Sequence, residues 1–391
     1  MLGELRRMGD ETTPASMKKP ARNGRRTGTP VAATILDVAR RAGVSTATVS
    51  RALAAPDKVA EETRARVIAA IAATGYTPNA SARNLRARST QVVLALVPGI
   101  SNTFFAPILN AIEDRLSAAG YGMIIGDTRH SPQKEAHYTR FILAGQVDGV
   151  ILFTGQIPRD GDVTPVSGRV PIALVCNEIV GETRYSVFDV DNRAAAARGT
   201  AHLIAAGHRH IGHVAGDSRN IEAVERKKGF RLALKRAGIT PDEAAIWEGG
   251  FRYEDGVQAA TRFLALRRRP TAIFASADHA AIGFIRTVRD AGIRTPEDVS
   301  IVGFDDIDYA SVIEPPLTTM RQPRADLGRL AAEDLLKRMG RNGVEIAPVH
   351  ERLRCELIER ASVRPPADGR STRSPARAKD EGSGAARGSI P

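Results

Sequence analysis

A helix that enters the major groove of duplex DNA needs short side chains on its first turn, so that its backbone can approach the base edges. It also needs a long donor further along. Residues 46–53, TATVSRAL, meet both needs. On this reading Arg51 donates to guanine, Thr46 and Ala47 touch base edges or a thymine methyl, and the hydroxyls of Thr34, Ser45, Thr48 and Ser50 bind phosphates. The competing reading is a small surface domain with no DNA role; position, charge and exposed face favour groove docking.

The elements that must hold these side chains are legible around them. Thr34 with Asp37 three residues on makes a capping-box start, and Ile35, Val38 and Ala39 follow at helical spacing until Gly43. Ser45 can cap a second helix that turns Val49 and Leu53 inward. A third helix over about 61–74 offers Val67, Ile68 and Ile71 to the same core and stops at Gly75. Residues 79–90, NASARNLRARST, are helix-permissive, but Leu85 is their one apolar side chain of weight, so this segment reads as a linker that needs a partner to become helical.

Charge follows the same division. Residues 1–90 hold 16 Lys/Arg against 7 Asp/Glu and the tail 364–391 holds 6 against 3, while residues 91–363 balance at 34 against 34. A basic head on a neutral body fits a polyanion-binding module, with solvated basic ends as the blander alternative. Residues 1–33 and 364–391 mix Lys, Arg, Thr, Pro and Gly without periodicity and are expected to lack fixed structure. No apolar run spans a membrane or forms a signal peptide, so the expected compartment is the cytoplasm. The two cysteines, Cys176 and Cys355, have no metal-ligand spacing.

Beyond Gln91, β-rich runs at 92–97, 122–127, 148–153, 171–176, 211–216, 271–276 and 299–304 alternate with helical stretches such as 105–119, 192–206, 225–237 and 278–291. That rhythm predicts an α/β body over 91–363, two doubly wound parallel sheets following an all-α headpiece over 34–78. Ligands of such sheets bind beyond the carboxyl ends of the strands, here between two lobes. His208, His210 and His213 cluster in GHRHIGH; a surface turn is favoured over a zinc site because no further ligand is evident. No nucleophile elbow, zinc-protease, P-loop or dinucleotide motif occurs, so no catalytic residue, cofactor or metal is expected.

The segment 34–53 resembles the DNA-binding headpiece of the lactose-repressor (LacI/GalR) family. The likeness continues through 58–85, FFAPILNAIEDRLSAAGYGMIIGDT, DGVIL, DVDNRAAA, GHRHIGHVAG, RKKGF, ASADHAAIG, VSIVGFDD and PPLTTMRQP, covering about residues 34–362. The runs STATVSRAL, IIGD, VCNE and VFDVDN are most similar to the cytidine-repressor branch.

The resemblance implies a periplasmic-binding-protein-like body, a homodimer on double-stranded operator DNA, no membrane partner, and a small effector, a nucleoside or sugar. Asn79, Leu85 and Arg86 match hinge positions at the operator, Leu85 as one of a pair of minor-groove wedges; packing on the body is the alternative for Leu85. Phe104, Phe105, Arg226, Phe251 and Asp278 match effector-contacting positions, with helix-surface charge as the alternative for Arg226 and core packing for Phe105. Where purine-binding relatives place an arginine and a threonine, this chain has Asn220 and Glu222, which weakens carry-over of a purine site. A transport solute-binding protein would lack residues 34–90, and an enzyme in the cleft would need an acid/base pair that the sequence does not offer.

Overall fold

The structure is a computed structural model that describes residues 33–77, 89–165, 170–340 and 346–367. Chain up to Arg83 and chain from Asn84 onward form two separate units. The hinge positions Asn79, Leu85 and Arg86 lie outside the described residues, as does the tail beyond residue 367.

In the first unit, helix α1 (Ile35–Ala42) starts at the Thr34–Asp37 capping box and ends at Gly43, whose φ of 65° is the left-handed conformation glycine adopts without strain. Helix α2 (Thr46–Ala54) is capped by Ser45, whose Oγ accepts the Thr48 N–H at 3.1 Å. Helix α3 (Glu61–Thr74) stops at Gly75, also left-handed. Val38, Ala39, Ala42, Val49, Ala52, Val67 and Ala70 form the core. Two expected core residues are corrected: Leu53 is 42% exposed and Ile68 58% exposed. Leu53 falls one position past Ala52, which already fills the inner row of α2, and the inward row of α3 runs through Val67 and Ala70 with Ile71 beside it.

The second unit holds two six-stranded sheets. The first lobe comprises β1 (Val92–Val97), α4 (Ala106–Ala118), β2 (Gly122–Asp127), α5 (Pro132–Leu143), β3 (Gly149–Leu152), β4 (Ile172–Val175) and β5 (Ser186–Val190). The second comprises α6 (Asn192–Ala205), β6 (Ile211–Val214), α7 (Ile221–Arg236), β7 (Ile246–Trp247), α8 (Tyr253–Ala265), β8 (Ala272–Ala275), α9 (Asp278–Asp290), β9 (Ser300–Asp305) and β10 (Thr318–Arg321). The chain then returns: α10 (Arg324–Met339) packs on α4 and on β3, β4 and β5. Strand β11 (His350–Leu353) pairs in parallel with β5, and β12 (Glu356–Ile358) crosses over again to pair antiparallel with β10.

Strand order is β11-β5-β4-β3-β1-β2 in one sheet and β12-β10-β9-β8-β6-β7 in the other. Both sheets are parallel apart from β12, and inner strands such as β3, β4, β8 and β9 are buried along their whole length because helices cover both faces. Three short crossovers, at 190–192, 321–324 and 353–356, join the lobes. Residues at the head of the expected tail are packed: the Arg364 N–H donates to Ser300 Oγ, and its carbonyl lies 2.9 Å from His208 Nε2.

Candidate functional site

On α2, Val49 and Ala52 turn inward, while Ser45, Ala47 and Arg51 are exposed and Thr46, Thr48 and Ser50 half-exposed. The residues expected to read bases therefore share one solvent-facing surface. Three of the hydroxyls are already engaged locally: Thr34 Oγ1 donates to Asp37 at 2.7 Å, and Ser45 Oγ lies 2.9 Å from Thr48 Oγ1. The same Thr34 contacts, its backbone N–H first, hold the Asp37 carboxyl below its ordinary range.

In the body, the carboxyl ends of both sheets converge on Arg226. A Cβ at Gly229 would lie 2.2 Å from the Arg193 carbonyl, so glycine in RKKGF lets α7 cross α6 closely. One turn earlier Arg226 is thereby brought to Asn192 at the first crossover. Its Nε–H donates to Asn192 Oδ1 at 2.8 Å and Nη1 to the Ser276 carbonyl at 2.6 Å. Its guanidinium lies 3.8 Å from the Phe304 ring centre and 5.0 Å from that of Phe251, and Nη1 is 3.8 Å from Asp305. Arg226 is 2% exposed, which removes the reading of it as a helix-surface charge. Its Nη2 edge takes no protein acceptor among the described residues, so it can fork with a ligand oxygen.

Asp278 is fully buried, and both of its oxygens are occupied: Oδ1 by Thr319 Oγ1 at 2.6 Å, Oδ2 by the Ile307 N–H at 2.9 Å. Burial, with the charge of Asp305 next, pushes its carboxyl well above the usual range. Asp278 thus clamps the turn after β9 to β10, and Asp305 sets a second buried carboxyl beside Arg226. At a φ of 119°, Asp305 occupies a backbone region that non-glycine residues rarely adopt, held there by Gln322 Nε2 at 2.7 Å. Burial lifts its carboxyl to about 6 despite Arg226.

Phe104 and Phe105 are both buried. Phe105 packs edge-on to Phe153 with ring centres 5.4 Å apart, the core position held open as its alternative. Phe104 faces Arg324, which donates to the Asp306 carbonyl at 2.8 Å and so ties the two lobes at the second crossover. Sequence reasoning missed Asp305, Gln322, Asn192 and Arg324; the doubled aspartate ending VSIVGFDD at a strand terminus was the available signal for Asp305.

The three histidines do not converge. His208 bonds Thr271 and Arg364, His210 lies 2.9 Å from Asp242, and His213 is stacked between Phe230 and Phe274. Glu178, Asp189 and His350 do come together, but Arg352 donates to both Asp189 oxygens at 3.1 Å and supplies the positive charge there.

Residues 34–79 match the family of bacterial regulatory proteins known as the lacI family, and residues 200–363 match a periplasmic binding protein-like domain. The HTH-type transcriptional repressor CytR of Escherichia coli (strain K12) is 38% identical over 333 residues, 85% of this chain and 97% of the relative. The HTH-type transcriptional repressor PurR of Photobacterium profundum is 36% identical over 85% of this chain and 99% of its own length. The lac repressor dimer bound to operator and the anti-inducer ONPF superposes with a TM-score of 0.75 at 27% identity, covering 85% of this chain and 99% of that one. Three-helix unit, paired parallel sheets and relatives matched almost end to end agree: the chain belongs to the lacI family of bacterial regulatory proteins.

Proposed function

We propose that the protein is an operator-binding repressor whose α2 lies in the major groove, with Arg51 as base reader and Thr46 and Ala47 against base edges. The solvent-facing surface of α2, short residues first and Arg51 one turn later, is the observation that carries the reading. A small metabolite, a nucleoside or a sugar, bound between the lobes at Arg226 and Asp305 changes operator affinity by favouring one arrangement of the body over another. The hinge roles of Asn79, Leu85 and Arg86 belong to the same proposal, and Leu85→Ala is expected to weaken operator binding without altering ligand affinity.

Two half-sites need two headpieces, so the working form is a homodimer. The edge strand β2, with Ile124 42% and Ile125 37% exposed, offers an apolar surface for that pairing. Among the described residues no helix is long and apolar enough to cross a membrane. Work on chromosomal DNA puts the protein in the cytoplasm, and its task is binding rather than catalysis.

The test is fluorescence anisotropy of full-length protein on its own promoter fragment, with unrelated DNA as competitor and nucleosides and sugars added singly. Saturable binding that resists competitor and shifts with one metabolite supports the reading. Sequence-blind, salt-sensitive attachment indifferent to every metabolite overturns it.

A further inference from the structure

A cavity of about 470 Å³ opens in the trough between α6 and α7, and its lining shares no residue with the group around Arg226. Ala194, Ala197 and Ala201 recur along one side of α6, and Leu232, Ala233 and Ala237 stand opposite at the end of α7. Methyl groups stand where longer side chains would close the trough, which keeps it open and apolar over about 20 Å of helix. The volume is that of a small-molecule site.

Three arginines border this trough against one acid, Asp191. Arg193 is already paired, its Nε–H donating to Glu225 at 2.7 Å. Asp191 is committed too, accepting the Ala194 N–H at 2.8 Å as the cap of α6. The other two cations are incomplete. Arg236, exposed on the last turn of α7, has no ion pair or hydrogen bond among the described residues. Arg198 donates from Nη2 to the Cys355 carbonyl, while its Nε–H is shut off from solvent and meets no acceptor among the described residues. A buried N–H in that state is costly and rare. An apolar floor beside two cations short of acceptors fits a carboxylate carried on an apolar body. A sugar or nucleoside would turn its hydroxyls toward methyl groups instead. A long trough between two helices is followed more closely by an unbranched chain than by a ring.

We propose that this trough is a second ligand site, which takes a medium-chain fatty carboxylate, its head held by the bordering arginines and its chain along the α6 alanines. Its position makes the site regulatory. Arg198 reaches the third crossover through the Cys355 carbonyl, and the Asp191 N–H at the first crossover donates to the Leu353 carbonyl at 3.1 Å. Two of the three crossovers joining the lobes therefore meet beside the trough. An occupant that draws on Arg198 alters its grip on Cys355, and with it the balance between lobe arrangements. Ligand binding here stands apart from the cleft, whereas its effect on DNA rests on the repressor reading.

The experiment is isothermal titration of full-length protein with octanoate, set against octan-1-ol, acetate and benzoate, which lack the charge, the chain and the straight chain in turn. Octanoate is expected to bind saturably and at least about ten-fold more tightly than each of the others. Arg198→Met is expected to weaken octanoate about ten-fold and Arg236→Ala about three-fold. Ala201→Phe places a ring in the trough from an exposed position, so the fold is kept while binding is abolished. In anisotropy titrations octanoate is expected to shift operator affinity of the native chain at least about three-fold and to leave that of Ala201→Phe unmoved. Absence of saturable octanoate binding, equal binding of octanol or benzoate, or full octanoate binding by Ala201→Phe overturns the site. Saturable binding with operator affinity unchanged overturns the regulatory role. A native chain without specific operator binding overturns the repressor reading and leaves the titration result intact.

Discussion

The Asp148 carboxylate accepts the backbone N–H of Gln91 at 2.9 Å, joining residues 57 apart in sequence. The same carboxylate takes the Thr90 N–H at 2.7 Å and the Thr90 hydroxyl at 2.9 Å, and it also receives Ser89 Oγ. Asp148 stands at the head of β3, beside β1, so the end of the 79–90 segment is fastened to the middle of the first sheet. The far ends of these strands lead toward Phe104 and Phe153, making the sheet a rigid connection between the linker and the cleft.

Cutting that fastening should be felt at the DNA. Asp148→Ala is expected to lower operator affinity by about ten-fold or more and to speed tryptic cleavage at Arg83, Arg86 and Arg88, because several donors lose one shared acceptor. Ligand affinity of the body should stay unchanged. Unaltered cleavage and operator affinity would show that the linker is positioned by something else.

Arg51→Ala should cost about 1–3 kcal/mol of specific operator binding, the usual weight of a bidentate base contact. Binding to unrelated DNA should change far less, and thermal unfolding should match the native chain because Arg51 is exposed. Parallel anisotropy titrations on operator and scrambled DNA make the comparison.

Arg226→Met removes the charge that faces Asp305 and the donors to Asn192 and Ser276. Breaking a buried pair from one side typically costs about 3–5 kcal/mol. The variant should melt earlier, and metabolites should no longer shift operator binding; a variant that still responds normally would remove Arg226 from the effector site.

His213 and Glu222 titrate with opposite consequences over the same pH range. Burial lowers His213 from 6.5 to about 4, so its unfolded form binds protons first, and the stability present above pH 6.5 is lost as pH falls toward 4. Burial raises Glu222 from 4.5 to about 7, so its contribution is fully present below pH 4.5 and is lost as pH rises toward 7. Each swing is worth about 3 kcal/mol at 1.36 kcal/mol per unit. Urea unfolding from pH 4 to 7 should therefore show His213→Phe gaining on the native chain toward acid, and Glu222→Gln gaining toward neutral pH. Parallel curves for either variant would contradict the assignment.

What the sequence revealed follows from periodicity and caps. Thr34, Ser45, Gly43 and Gly75 marked the headpiece helices because capping is local chemistry, and the seven apolar runs marked strands because buried parallel strands need no alternation. Helix α10 and strands β5, β7, β10, β11 and β12 were not read: HERL at 350–353 carries two charges and gains strand structure only by pairing with β5. Asp278 was assigned to the ligand site from its match to the family position, and its structural bonds were not part of that reading. That Thr319 and Ile307 would occupy both of its oxygens depends on neighbours some 30 to 40 residues away, which no local pattern displays.

The order in which the chain visits the two lobes also bears on its synthesis. Strand β5 gains its outer neighbour only from His350–Leu353, and the sheet behind it gains its cover from Arg324–Met339. A ribosome must therefore release nearly the whole polypeptide before the first lobe can close, whereas the headpiece can fold after fewer than ninety residues. A message cut short between about codon 90 and codon 353 would yield an intact DNA reader joined to an unfinished body, a product without control and a ready target for proteolysis.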